Sequence, residues 1–263
     1  MTAPDRLIEM PGTLKAWGKT RIYQLILFLR TIFSNVLLAL YVVFHRRPPD
    51  NVRSVLHVSL ISHKQFMISR RLRELGIKSA YFALNTSEND RLFIGYDYNI
   101  PMRTRAPLRR ILEFYYLWFV FSRFDVIHYH FNAFLALEDG WELEYLKRMG
   151  KVIVFHFRGC DLRSRTLNVQ LNPELNLCQE CDYPVGSCDT PYQRERLQRV
   201  RDFGDLFFAT TPDLLPFFDG AEHIPFIAIT GIDFDSIQAA EKPSGVFRVV
   251  TSSNHPGLDG VPY

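Results

Sequence analysis

Short apolar runs alternate with helical stretches along most of the chain. "SVLHVSLI" (54–61) reads as a strand, and "SHKQFMISRRLRELGI" as a helix whose Phe66, Ile68, Leu72 and Leu75 recur at helical spacing to face a sheet before Gly76 stops it. "SAYFAL" supplies a second strand, and "RLFIGY" a short one inside a loop-rich segment from 85 to 105. "PLRRILEFYYLWFVFSRF" opens with a first-turn proline and is a strongly apolar helix. It leads to the strand "FDVIHYHF", to a helix "ALEDGWELEYLKRMG" closed by Gly150, and to the strand "VIVFHF". Residues 162–189 have little periodicity and read as an insertion or long loop. Beyond them come a charged helix "PYQRERLQRVRDFG", a strand "DLFFATT", a short proline-led helix "PDLLPFF" and a last strand in "AEHIPFIAI". Strand and helix alternating at this spacing predict an α/β fold, a Rossmann-like doubly wound parallel sheet with helices on both faces.

The first 50 residues form a separate unit. Between Ile22 and Phe44 the only charged residue is Arg30, and that length suffices for a spanning helix. Leu25, Phe28, Leu29, Ile32, Phe33, Val36, Leu37 and Leu40 nevertheless follow a helical stripe, with Gln24, Thr31, Ser34 and Asn35 on the other side. Lys15, Lys19 and Arg21 precede it, and Arg46, Arg47 and Arg53 follow it, so charge gives no orientation. An in-plane helix on anionic headgroups fits this pattern best, ahead of a spanning anchor or a helix packed on the domain. "RRPPD" ends it, and the sheet domain is expected over 51–230, with the cysteine-bearing insertion at 160–189. A linker follows over 231–245. The strand and loop "VFRVVTSSNHPGLDG" over 246–263 then look like the start of a truncated second domain.

Composition narrows the function classes. With 47% apolar and 22% charged residues the 263-residue chain is globular, and a net charge of +3 without a basic stripe argues against a nucleic-acid partner. Four cysteines, Cys160, Cys178, Cys181 and Cys188, are spaced C-x17-C-x2-C-x6-C, and nothing resembling a cleavable signal peptide precedes them. The expected setting is cytoplasmic and reducing. There the four thiols can enclose a structural zinc or stay free, disulfides being the lesser alternative.

In an open parallel sheet, ligands bind beyond the carboxyl ends of the strands. His63 follows the first strand there; no G-x-G-x-x-G does, which argues against a dinucleotide site. His128 and His130 point to one side of "DVIHYHF". Two such histidines can bind metal, but no third ligand is near in sequence, and a core or cleft-lining role is favoured, His130 above all. The densest set is "FHFRGCDLRS". His156 ends its strand, Arg158 can fork onto phosphate or carboxylate, Gly159 lets backbone approach a ligand, and Asp161 can accept from sugar hydroxyls or orient Arg158 or Arg163. The competing reading is a salt-bridged turn.

Taken in order, "FDVIHYHF", "GKVIVFHFRGCDLR", "DLFFATTPDLLPFF" and "IPFIAITGIDFDSI" resemble the landmarks of the N-terminal domain of group 1 type glycosyltransferases, retaining enzymes with the two-domain GT-B fold. The resemblance spans roughly 52–260, and its specificity lies in the order and spacing of the motifs. "FRVVTSSNHPGLDG" is similar to the first strand and loop of the family's C-terminal domain, where K-G commonly stands in place of Asp259-Gly260. The resemblance places His156 as the cleft histidine near the reacting sugar, Gly159 and Asp161 as the glycine and aspartate of its loop, and His130 as the second histidine of its strand. It implies a nucleotide-sugar donor bound mainly by the C-terminal domain. Two departures stand out: "SLISHKQF" replaces the family's Gly-rich loop after the first strand, and the cysteine insertion is not a general feature. The expected activity is sugar transfer from a nucleotide-sugar to a glycan or lipid-linked acceptor in cell-surface polysaccharide or glycolipid assembly, at the inner face of the cell membrane. His156 and Asp161 are the expected catalytic residues. His63, His130, Arg158, Gly159 and Arg163 are the expected substrate contacts. The alternative is a non-enzymatic, membrane-associated glycan- or partner-binding domain.

Overall fold

The computed structural model describes residues 14–44, 53–60, 63–86, 95–101, 103–131, 133–136, 139–171, 173, 178–179, 181 and 188–225. Helix α1 (Leu14–Phe44) precedes β1 (Ser54–Leu60), α2 (His63–Glu74), β2 (Lys78–Thr86), β3 (Tyr98–Pro101) and α3 (Ala106–Phe119). Then come β4 (Val126–His130), α4 (Glu142–Arg148), β5 (Val152–Phe157), α5 (Arg165–Leu171), α6 (Pro191–Phe203), β6 (Leu206–Ala209) and β7 (Glu222–His223). Short 3-10 turns occupy Phe121–Arg123 and Pro212–Phe217. The strands form one sheet in the order β3-β2-β1-β4-β5-β6-β7, and every pairing is parallel. This is the expected Rossmann-like α/β architecture. Strand order reverses at β1, so the carboxyl ends of β1 and β4 flank the topological switch point, the place where open α/β sheets bind ligands.

Alternation along each strand separates two unlike faces. Leu56, Val58, Phe82, Ile127, Tyr129, Ile153, Phe155 and Phe157 point to one face, where they join Leu117 and Trp118 of α3, Leu143 and Leu146 of α4, and Val200 of α6 in the core. Successive residues in between point the other way: Ser59 and His57 from β1, Ser79 and Tyr81 from β2, His128 and His130 from β4, His156 from β5. Helix α2 packs on this second face, which corrects the expectation for its side chains. Gln65 and Ser69 are its buried residues, whereas Phe66, Ile68 and Leu72 are half-buried and Leu75 is 63% exposed. The reason is complementarity: the strands it covers present polar groups, and Ser79 Oγ lies 3.0 Å from Ser69 Oγ.

Other boundaries also move. β3 falls at 98–101, while the first four residues of "RLFIGY" lie outside the described residues, as do the expected linker over 231–245 and second-domain start over 246–263. Helix α4 begins only at Glu142. Gly140 before it takes φ +56, and a Cβ there would come within 2.6 Å of the Phe134 ring, so the chain turns at this glycine instead of running on as helix. The aperiodic insertion holds a short helix, α5, that its pattern did not announce.

Glu142, buried at the start of α4, holds this turn by accepting the N–H of Leu135 (2.7 Å) and Ala136 (3.3 Å) and the Tyr129 hydroxyl (3.3 Å). Burial pushes its carboxyl up to about 8, against the opposing effect of those backbone donors. Between the ordinary carboxylate value of about 4.3 and about 8 the folded chain therefore keeps a proton that the unfolded chain has released. Stability is fully present below that window and falls as pH rises through it, at up to about 1.4 kcal/mol per pH unit. Urea denaturation from pH 6 to 9 is expected to show this loss, and Glu142→Gln to flatten it; an unchanged slope in the variant rejects the assignment.

Candidate functional site

Four histidines form a layer on the polar face of the sheet, at its centre. His57 of β1 stands in register with His128 of β4, and His130 of β4 with His156 of β5. Ring centroids lie 4.1 Å apart for His128 and His130, 5.2 Å for His57 and His128, and 5.6 Å for His130 and His156. His57 Nδ1 is 3.2 Å from His130 Nε2, both rings being buried. Burial pushes His57 down to about 3, with His156 adding to the effect, and holds His128 and His130 well below the usual histidine range. It takes His156 down to about 4, with a hydrogen bond to the Ile224 backbone opposing and Arg158 adding. All four imidazoles are thus neutral at pH 7, each with one nitrogen available as an acceptor. His57 is the member that sequence reasoning passed over, while His128 was read with His130 as core or cleft-lining. H-x-H within one strand is visible in a sequence; a partner contributed by sheet register is not.

The loop after β5 is built around a carboxylate that faces inward. Asp161 accepts the backbone N–H of Arg158 (3.0 Å) and Gly159 (2.7 Å), and burial pushes its carboxyl up to about 6. This carboxylate shapes the loop. Gly159 takes φ +158, which L side chains rarely adopt, and a Cβ there would meet nothing within 4 Å among the described residues, so the demand for glycine is conformational. Its carbonyl accepts the N–H of Leu162 and Arg163. Arg163 reaches across to Asp213 in the "TPDL" segment, an ion pair that occupies the guanidinium expected to meet substrate. Thr210 Oγ1 donates to the Phe157 carbonyl at 2.8 Å, and Gln193 of α6 donates to the carbonyls of Cys160 and Arg163. Three elements therefore hold this loop at the sheet's carboxyl edge. Arg158, half-buried, lies close enough to His130 and His156 for its charge to bear on both.

Phe131, directly after His130, has φ 58 while its N–H bonds the His156 carbonyl at 3.1 Å. A left-handed non-glycine residue costs on the order of 1–2 kcal/mol, a strain that concentrates at functional sites. Gln65, fully buried on α2 just past the carboxyl end of β1, has neither side-chain polar atom paired among the described residues. His63 opens α2, and its side chain lies outside the described residues.

The structure brings the four cysteines near enough to influence one another electrostatically, but does not gather their sulfurs, among the described residues, into a set as close as a metal centre requires. All are free thiols, and Cys178 Sγ accepts from Asn168 Nδ2 at 3.1 Å. Burial pushes the Cys160 thiol up, and the neighbouring Cys188, Cys181 and Cys178 push it further; Cys188 is raised by burial and by Cys178 and Cys181. Mutually interacting thiols of this kind are ones that a cation would relieve. No protein-family model matches the chain, and no curated protein matches it by sequence comparison.

Proposed function

We propose that this chain is the acceptor-side domain of a membrane-associated glycosyltransferase acting in cell-surface polysaccharide or glycolipid assembly. What carries the reading is one placement: β5 brings neutral, buried His156 and the Asp161-shaped Arg158–Gly159 loop to the carboxyl edge of the sheet, beside the switch point. In the reaction the bond between the anomeric carbon and the donor's diphosphate oxygen breaks, a bond to an acceptor hydroxyl oxygen forms, and the hydroxyl proton leaves with the diphosphate or to solvent. His156 offers a neutral hydrogen-bonding group to the reacting sugar, and Arg158 a fixed cation for donor or acceptor oxygens. Asp161 positions these groups through the loop backbone. Nucleotide-diphosphate binding belongs to a second domain, whose expected opening residues lie outside those described. A structural zinc on the four thiols is part of the same proposal.

Two helices support the membrane placement by their orientation. Helix α1 turns Ser34 and Leu38 inward onto α3 and α4 and leaves Phe28, Ile32, Phe33, Val36 and Leu40 exposed. Helix α3 does the same, burying Arg110 and Glu113 while exposing Leu108, Ile111, Tyr115 and Phe119. A helix pair that buries Ser34, Arg110 and Glu113 beside Leu38, Leu117 and Trp118, and still turns large apolar side chains outward, matches a hydrocarbon surface. Gln24–Phe44 is long and apolar enough to cross a bilayer. Its anchors, Trp118 Nε1 to Ser34 Oγ (3.4 Å), Arg30 over the Trp141 ring (4.4 Å) and Tyr41 to the Ser122 carbonyl (3.4 Å), would be lost on spanning, which favours an in-plane helix at the cytoplasmic face.

The test is transfer from a panel of nucleotide-sugars into a membrane extract by the full-length protein. His156→Ala and His156→Gln, each checked for folding by thermal melting, are expected to lower kcat by about 10²–10³-fold while donor KM changes little. Unchanged turnover rejects the role. The inward-facing Asp161 favours one rival, a glycan-binding module without turnover, because its carboxylate is engaged by the backbone N–H groups of Arg158 and Gly159 instead of facing substrate. Glycan binding that depends on Arg158, with no transfer by the full-length protein, would establish that rival.

A further inference from the structure

The register of β1 against β4 supplies what the H-x-H of β4 lacks in sequence, a third imidazole. His57, His128 and His130 each offer a ring nitrogen, and these atoms lie within 4.8 Å of one another. We propose that the three histidines form a binding site for a late first-row divalent cation of the zinc class, with its fourth position open on the side of His156.

Donor chemistry is the first argument. Three neutral imidazoles are the ligand set of an open zinc site, in which nitrogens at about 2.0–2.1 Å from the metal sit about 3.3 Å apart. His57 Nδ1 and His130 Nε2 already stand at 3.2 Å. Without a cation, one of these two nitrogens must donate to the other, and the tautomers of both rings are then constrained. His128 Nε2 is buried and has no hydrogen-bond partner among the described residues. An unsatisfied buried polar atom costs about 1–3 kcal/mol, so the empty cluster carries a penalty that coordination offsets.

Scaffold rigidity is the second argument. The ligands stand on two neighbouring strands in the middle of the sheet, and His128 and His130 share a face because they are two apart. Closing 4.8 Å to about 3.3 Å therefore takes side-chain rotation, with no movement of backbone. Arg158 works against the site, since its charge reaches both His130 and His156. The bound cation is accordingly expected to hold a hydroxide or other anion at its open position, between itself and Arg158.

Chelator-treated full-length protein is titrated with cobalt(II) chloride and then zinc chloride, with bound metal counted by mass spectrometry after dialysis. The thiol cluster is separated by its near-ultraviolet thiolate-to-cobalt absorption, which nitrogen ligands do not produce. His57→Gln and His128→Gln are each expected to lose one metal equivalent with the thiolate signal and the circular dichroism unchanged. Equal stoichiometry in the parent and both variants overturns the proposal. Should either variant fail to fold, X-ray absorption of the zinc-loaded parent decides: imidazole scattering from a three-nitrogen site supports it, and sulfur-only ligation overturns it.

Discussion

Glu113→Ala is expected to cost about 3–5 kcal/mol of folding stability, although it removes one carboxylate from a helix with an exposed apolar stripe. Glu113 is 1% exposed and meets Arg110 at 2.9 Å and Arg109 at 3.3 Å. Arg110, itself 5% exposed, would then meet Asp139 at the longer distance of 3.7 Å, in place of its 2.9 Å contact with Glu113. Arg30 from α1 feels Arg110, Glu113 and Asp139 as well, so the substitution removes negative charge from a site where described cations already gather. Breaking a buried pair from one side strands a desolvated charge, whereas replacing both partners removes it. Arg110→Met with Glu113→Leu is therefore expected to recover most of the loss. Glu74→Ala, which breaks the solvent-exposed pairs with Arg70 and Arg71, is the control and is expected to leave stability essentially unchanged. Urea denaturation in mild detergent measures all of them. Similar costs for Glu113→Ala and the control would show that the inner charges are in effect solvated.

Vesicles are expected to report the other large effect. The full-length chain should co-sediment with vesicles containing anionic lipid, and Ile32→Glu combined with Ile111→Glu should weaken that partition by at least about 100-fold. Each isoleucine forgoes roughly 1.5–3 kcal/mol of apolar burial, and each new carboxylate must also be kept out of hydrocarbon. Both positions are exposed in the fold, 43% for Ile32 and 58% for Ile111, so the melting temperature should hold. Unaltered partition would place the apolar face elsewhere than in lipid. Release of the parent chain at alkaline pH identifies the in-plane arrangement, while resistance to release identifies a spanning one.

Strand positions were the most legible part of the sequence. β1, β2, β4, β5 and β6 all fall where apolar runs predicted them, because strands buried on at least one face of a parallel sheet must be largely apolar. The loop after β5 was legible as a concentration of reactive residues, yet the division of labour within it was not. Asp161 and Arg163 have the chemistry of ligand contacts, and the fold gives them to backbone amides and to Asp213. Nothing local in "RGCDLR" distinguishes a carboxylate facing a cleft from one folded back on its own loop.

Periodicity also assigned the two sides of each helix without saying which side faces the protein. In α2 the buried side chains, Gln65 and Ser69, are polar because the sheet above them is polar. In α1 and α3 the aliphatic stripes point away from the core while Ser34, Arg110 and Glu113 lie within it.

By itself, then, the sequence determined that this chain folds as an alternating α/β sheet domain behind a long apolar helix, since hydrophobic period is a local property of the chain. Which faces are wet, which acid is spent on its own loop, and that His57 stands beside His128 and His130 were decided only by tertiary structure. Strand register joins residues that no local pattern connects, and burial is fixed by whatever packs opposite.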